Sequence, residues 1–253
     1  MPCRDYCWIL ILVSLHCATF LHRPSEFEKG IRLYQQAHFH EAAVHFNAYY
    51  TKHPDSDTTL YYLYDCYKQL GQPEQSARVL EQLVKIGSID EKVYLALFSY
   101  YHKTARYRDL YRLLINLDSP IQDTVNEHHI LTRRLYAEIL CGAQEKPVSS
   151  DPLVFVVSEG YIPPFPDGQS YENDPITIGN LIILLDKLVE PVYPKQFFKI
   201  KNISNRSFLY LPYMRLIELG IVELDPELNP EENASVTTTA RAVANLKKRG
   251  FID

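Results

Sequence analysis

The sequence predicts an all-α protein built in two helical parts. Apolar residues recur at helical spacing on either side of short polar breaks. The first half repeats with a period of 34 residues, and the second echoes itself at an offset of 60. Self-similarity at a fixed spacing marks a supersecondary unit used more than once. These observations place a leader at 1–20, a solenoid of helical hairpins at 23–144, a linker at 145–152 and a second, mainly helical domain at 153–253.

The bulk numbers narrow the function. A chain of 253 residues supports one large domain or two ordinary ones, and 46% hydrophobic residues can fill both cores. Lys and Arg number 26 against 31 Asp and Glu, with no basic stripe, so nucleic acid is not an expected partner. All nine histidines lie at or before His129, which sets the two halves apart.

The leader carries a short apolar run from Cys7 to Leu15 behind Arg4, with Asp5 beside it. Its length fits the apolar region of a secretory signal better than a membrane span. It ends either at Cys17, as a lipid-bearing cysteine, or in cleavage after Ala18. Retention of the uncleaved leader would be a second route to membrane attachment, beside a lipid on Cys17. Of the five cysteines, Cys3, Cys7 and Cys17 belong to this segment. Cys66 and Cys141 sit in apolar helical contexts and read as buried thiols, a disulfide being the alternative.

The hairpins follow in three registers starting at 23, 57 and 91. Equivalent positions hold Leu33, Tyr67 and Tyr101, then Phe39, Pro73 and Tyr107, then Ala42, Ser76 and Leu110, then Phe46, Leu80 and Leu114. A polar break around His38, Gly71 and Arg106 separates the two helices of each repeat. Small residues such as Ala42 and Ser76 let the helices approach, and Pro54 closes the first repeat. Asp123 to Cys141 reads as one further amphipathic helix, with His128, Leu131, Leu135 and Ile139 on one face and Gly142 as its stop.

This half resembles the tetratricopeptide repeat, through Gly30, Leu33, Phe39, Ala42, Phe46 and Pro54 in the first repeat, Leu60, Leu63, Tyr67, Gly71 and Leu80 in the second, and Leu97, Tyr101, Tyr107 and Leu114 in the third. The resemblance implies a concave, protein-binding groove lined by Phe27, Ile31, Tyr34, Tyr61, Asp65, Lys68, Leu95, Ser99 and His102. The helix at 123–141 would cap the solenoid. His38 and His40 flank Phe39 in a turn and point apart, so no metal site is expected, and no cofactor.

The second domain begins after the polar linker Glu145 to Pro152 with the apolar run Leu153 to Val157. Pro166-Asp167-Gly168 supplies a turn. A helix over Thr177–Leu188 follows, capped by Thr177 or Asp174. Another runs from Leu209 to Leu219, tolerates Pro212 in its first turn and stops at Gly220. The last opens at Val236-Thr-Thr, and Lys247, Lys248 and Arg249 complement its C-terminal dipole before Gly250. The offset of 60 pairs Thr177 with Thr237.

This part is similar to the S-layer homology module. The matching residues are Asn202-Ile203, Phe208, Leu219-Gly220-Ile221, the Pro166-Asp167-Gly168 loop, and the helix starts Ile176-Thr177 and Val236-Thr237. The resemblance implies about one and a half modules that bind a peptidoglycan-linked polymer, through Thr177, Asn180, Thr237, Thr238 and Arg241. The arginine of the family's helix start is replaced by Ile178 and Thr238, and its acidic partner by Asn180 and Ala240. Neither replacement can grip a carboxylate or phosphate bidentately.

No catalytic constellation stands out. The 153–253 domain contains neither His nor Cys, and Glu231-Glu232 falls in a solvent loop. Asn-x-Ser matches at Asn202, Asn205 and Asn233 are chance occurrences in a chain of bacterial character. The sequence thus reads as a non-catalytic exported protein of the bacterial periplasm or cell envelope. Its hairpins would bind a protein, and its second domain a wall polymer or an envelope protein. The alternative is a purely structural scaffold that binds only proteins.

Overall fold

A computed structural model describes residues 24–144, 150–164, 167–169 and 171–253. The leader with Cys3, Cys7 and Cys17, most of the linker and Pro166 lie outside the described residues. The described residues form twelve α-helices and no strand, so the fold is all-α. No helix among them is long and apolar enough to cross a membrane. The chain divides into two compact units, one reaching Ser88 and the other running from Ile89 to Asp253.

The first unit holds two hairpins, α1 (Glu26–Gln35) with α2 (Phe39–Tyr50), and α3 (Asp57–Gln69) with α4 (Pro73–Lys85). Ser25 opens α1 with a reciprocal capping box to Glu28, and Ser56 caps α3 through the Thr59 N–H. Gly30 lets α1 lie close against α2, because a Cβ there would stand 2.7 Å from the Phe46 ring. Phe46, Leu60, Leu63 and Leu83 are fully buried, each contributing about 1.5–3 kcal/mol of transfer free energy.

The 34-residue period is visible in the backbone. The residues with positive φ at the hairpin turns are Ala37 (60°), Gly71 (65°) and Ala105 (56°). At each turn the next N–H closes back over the helix end: His38 to the Leu33 carbonyl, Gln72 to Tyr67 and Arg106 to Tyr101. The third hairpin, α5 (Glu91–Lys103) with α6 (Tyr107–Ile115), belongs to the second unit.

The helix expected over 123–141 is two helices, α7 (Ser119–His128) and α8 (Arg133–Ala143). His129 is extended, with φ −133° and ψ 119°, and Thr132 caps a new helix by accepting the Leu135 N–H. Gly142 is not a stop. It lies inside α8 because a Cβ there would sit 2.2 Å from the Tyr107 carbonyl oxygen, so the glycine sets the approach of α8 to α6.

Beyond the linker come α9 (Pro152–Ser158), α10 (Ile178–Asp186), α11 (Tyr210–Glu218) and α12 (Val236–Lys248). α8 and α9, on either side of the expected linker, pack on each other and both belong to the second unit. α12 lies on α6, α7 and α8, and α10 packs on α11. Gly220 (φ 63°) and Gly250 (φ 77°) end α11 and α12 as expected. Phe208, read as a framework aromatic, is instead 77% exposed.

Candidate functional site

Three helices of the second unit begin side by side on a short extended ladder. Thr132 bridges Pro175, and Thr177 bridges Asn233, both antiparallel. The Ile176 N–H donates to the Leu131 carbonyl at 2.9 Å, and the Ala234 N–H donates to the Ile176 carbonyl at 2.8 Å. Orphan donors at a helix start need acceptors, and here neighbouring segments supply them. The Arg133 N–H uses Asp174 O (3.1 Å), the Ile178 N–H uses Glu232 O (2.8 Å), and the Gly179 N–H uses Pro230 O (2.9 Å). Each helix is then capped by a hydroxyl: Thr132 on α8, Thr177 on α10 and Ser235 on α12.

This geometry revises the internal echo. The caps Thr177 and Ser235 are 58 residues apart, so the offset of 60 misplaces the equivalence by two. Thr237 lies inside α12, only 2% exposed, and is held by Asn126. The Asn126 amide donates to the Thr237 hydroxyl at 3.0 Å, and the Thr237 N–H donates to Asn126 Oδ1 at 3.2 Å. Thr237 is therefore a packing residue that a polymer cannot reach. Thr177 is occupied as a cap, and Asn180 is exposed one turn beyond it.

Thr238 and Arg241 do share a concave surface. They line a cleft of about 840 Å³. Its apolar floor comes from Ile178, Leu181 and Ile182 of α10 with Tyr213 and Ile221. Three hydrogen bonds fix one wall. The Tyr213 hydroxyl accepts from the Asp225 N–H at 2.8 Å and donates to the Glu223 carbonyl at 3.2 Å. The Asn245 amide donates to the Ile221 carbonyl at 3.0 Å. Glu223, Asp225 and Glu232 set three carboxylates around the cleft against the single guanidinium of Arg241.

A residue that sequence reasoning passed over is Arg133. Leu131-Thr132-Arg133 has an apolar–threonine–arginine order, where Ile176-Thr177-Ile178 and Val236-Thr237-Thr238 have no arginine. The tripeptide was legible, but periodicity had absorbed it into a continuous helix. Arg133 donates to the Pro163 carbonyl at 3.1 Å. Its neighbour Arg134 pairs with Asp151 at 2.9 Å and Glu172 at 3.0 Å, tying α8 to the segments on either side.

The residues expected to line the groove fall in both units. In the first unit Phe27 packs against Phe46, Tyr49 and Tyr62 at centroid distances of 5.2–5.8 Å. The Tyr34 hydroxyl donates to the Asp65 carboxylate, so these two satisfy one another. That pairing, with burial, pushes the Tyr34 phenol up to about 12. Tyr61 reaches Ser88 at 3.3 Å, Ile31 is half-buried, and Lys68 is exposed over the Tyr64 ring. Leu95, Ser99 and His102 belong to the second unit, where His102 bonds Glu138.

Among the described residues no group of His, Cys, Asp or Glu is arranged to hold a metal ion. Cys66 and Cys141 are free and buried. No protein-family model, no curated protein and no solved structure matches this chain.

Proposed function

We propose that this is a non-catalytic, exported cell-envelope protein. Its helical hairpins bind a protein partner, and its second unit, resembling S-layer homology modules, attaches to a wall polymer or to an envelope protein. The trio of capped helix starts on one ladder carries this reading. It raises the count of module-like starts from two to three, at Thr132, Thr177 and Ser235. The first start also supplies, as Arg133, a guanidinium of the kind the other two lack. A guanidinium reads carboxylate or phosphate as a fork, which suits an acidic wall polymer.

The test is sedimentation of the full chain with purified cell-wall sacculi at low ionic strength. Wild-type protein is expected in the pellet, with Arg133→Ala shifted toward the supernatant. Wild-type protein wholly in the supernatant would sink the wall attachment.

A second reading has its own support. The carboxylates of Glu223, Asp225 and Glu232 around the cleft repel an anionic polymer. They favour the scaffold in which both parts bind only proteins, the cleft taking an apolar side chain flanked by a basic one. Failure on sacculi together with capture of a basic, apolar peptide by the cleft, weakened by Glu223→Gln, would select it.

A further inference from the structure

Residues 190–211 of the second unit present a group of large apolar side chains to solvent. Tyr193 is 73% exposed, and Val192, Phe197 and Leu211 are each at least 39% exposed. The rings are contiguous: Tyr193 and Phe197 are 5.8 Å apart, and Phe197 stacks on Tyr210 at 6.3 Å. Lone exposed apolar residues are ordinary, but a cluster of aromatic rings marks an interaction surface.

The loop is fixed from beneath. Arg215 Nε donates to the Val192 carbonyl at 2.8 Å, and the same guanidinium grips Asp186. The Tyr210 hydroxyl donates to the Phe198 carbonyl at 2.9 Å. Pro191 and Pro194 further limit the backbone. The rings therefore stand outward on a backbone held at both ends, and ordering them on binding costs little.

The charges around the rings say what covers them. Lys195, Lys199, Lys201 and Arg206 are all exposed in this segment, against one acidic residue, Glu190. Lys201 is paired with Glu227. This positive surface belongs to a chain whose net charge is −5. Protein interfaces are depleted in lysine, whereas a bilayer surface accepts aromatic bodies at the headgroup level with lysine stems reaching past them to lipid phosphates.

We propose that the Val192–Leu211 surface docks on an anionic lipid bilayer. Tyr193 and Phe197 enter the headgroup layer, while Lys195, Lys199 and Arg206 contact phosphate. This surface is separate from the helix-start ladder and from the cleft, and it stands whether or not the protein also binds wall polymer.

The test is co-sedimentation of the full chain with phosphatidylcholine vesicles, with and without phosphatidylglycerol. Wild-type protein is expected to pellet with the anionic vesicles and to be released by salt. The pair Lys195→Glu and Lys199→Glu is expected to weaken partition by about tenfold or more. The pair Tyr193→Ser and Phe197→Ser is expected to weaken it by about tenfold or more. All four side chains are exposed, and unchanged helical circular dichroism checks that the fold is kept. The apolar run at 7–15 is the same in every variant, so only the differences between proteins report the patch. Wild-type protein left in the supernatant overturns the proposal. So does partition that ignores anionic lipid, or variants that pellet as well as wild type.

Discussion

The imidazole Nδ1 of His102 on α5 lies 2.6 Å from Oε2 of Glu138 on α8, a carboxylate whose side chain is only 3% exposed. The bond to Glu138 raises the His102 pKa above its ordinary 6.5, against burial and the nearby charges of Arg134 and Lys103. A raised value in the folded state stabilises the fold fully below the unfolded value, and the contribution is lost as pH rises through the folded one. Urea midpoints should therefore fall as pH rises from about 6.5, and His102→Asn should flatten that slope. Because 42% of His102 remains in water, screening keeps the effect below about 1 kcal/mol.

The hairpin turns predict stabilising substitutions. Ala37 and Ala105 hold the left-handed conformation that Gly71 holds in the intervening repeat. Left-handed backbone costs a residue with a Cβ about 1–2 kcal/mol, part of which glycine returns as unfolded-state entropy. Ala37→Gly and Ala105→Gly should each raise stability by about 0.5–1 kcal/mol, and Gly71→Ala should lower it, in chemical denaturation.

Asn126 and Thr237 join α7 to the start of α12. A double-mutant cycle with Asn126→Ala and Thr237→Val should return a coupling of about 1 kcal/mol. Thr238→Val, at the adjacent position but lining the cleft, should show no coupling to Asn126. In sacculus binding, Thr237→Val should act only through stability.

Gly142→Ala should be among the most damaging single changes. Its Cβ would meet the Tyr107 carbonyl oxygen at 2.2 Å and the Tyr111 Cβ at 2.7 Å, atoms that no side-chain rotation can move aside. Helix propensity would gain about 1 kcal/mol, but the clash should cost about 3 kcal/mol or more. A thermal melt that leaves this variant as stable as wild type would contradict the α6–α8 approach.

The two buried thiols should be inert in the folded protein. Burial raises Cys66 to about 11 and Cys141 to about 12, so little thiolate forms at neutral pH. Peptide mapping after brief alkylation should find both unmodified, and both modified once denaturant is added.

The helical class and the 34-residue period were legible because each turn imposes a fixed distance between left-handed positions, and apolar faces repeat with it. The break at 129–132 was not legible. Leu131 and Leu135 keep a helical spacing through a segment whose backbone is claimed by residues more than forty positions later. The same blindness chose Thr237 over Ser235. Both are hydroxyl residues near a helix start, and only the ladder decides where the extended segment stops and the helix begins. Among the expected site residues, Thr238 and Arg241 share a cleft. Thr237 is buried and Phe27 is packed by other aromatic rings.

The ladder has a consequence for how this part of the chain can come into being. The first turn of α10 gives two of its amides to Pro230 and Glu232, and the Ile176 N–H is taken by Leu131. None of these partners is local. The three helix starts are therefore not independent modules: each completes its backbone hydrogen bonds on a later segment of the chain or an earlier one. A chain shortened before residue 230 would keep the α8 partners at 172–176 but leave the first amides of α10 without their acceptors.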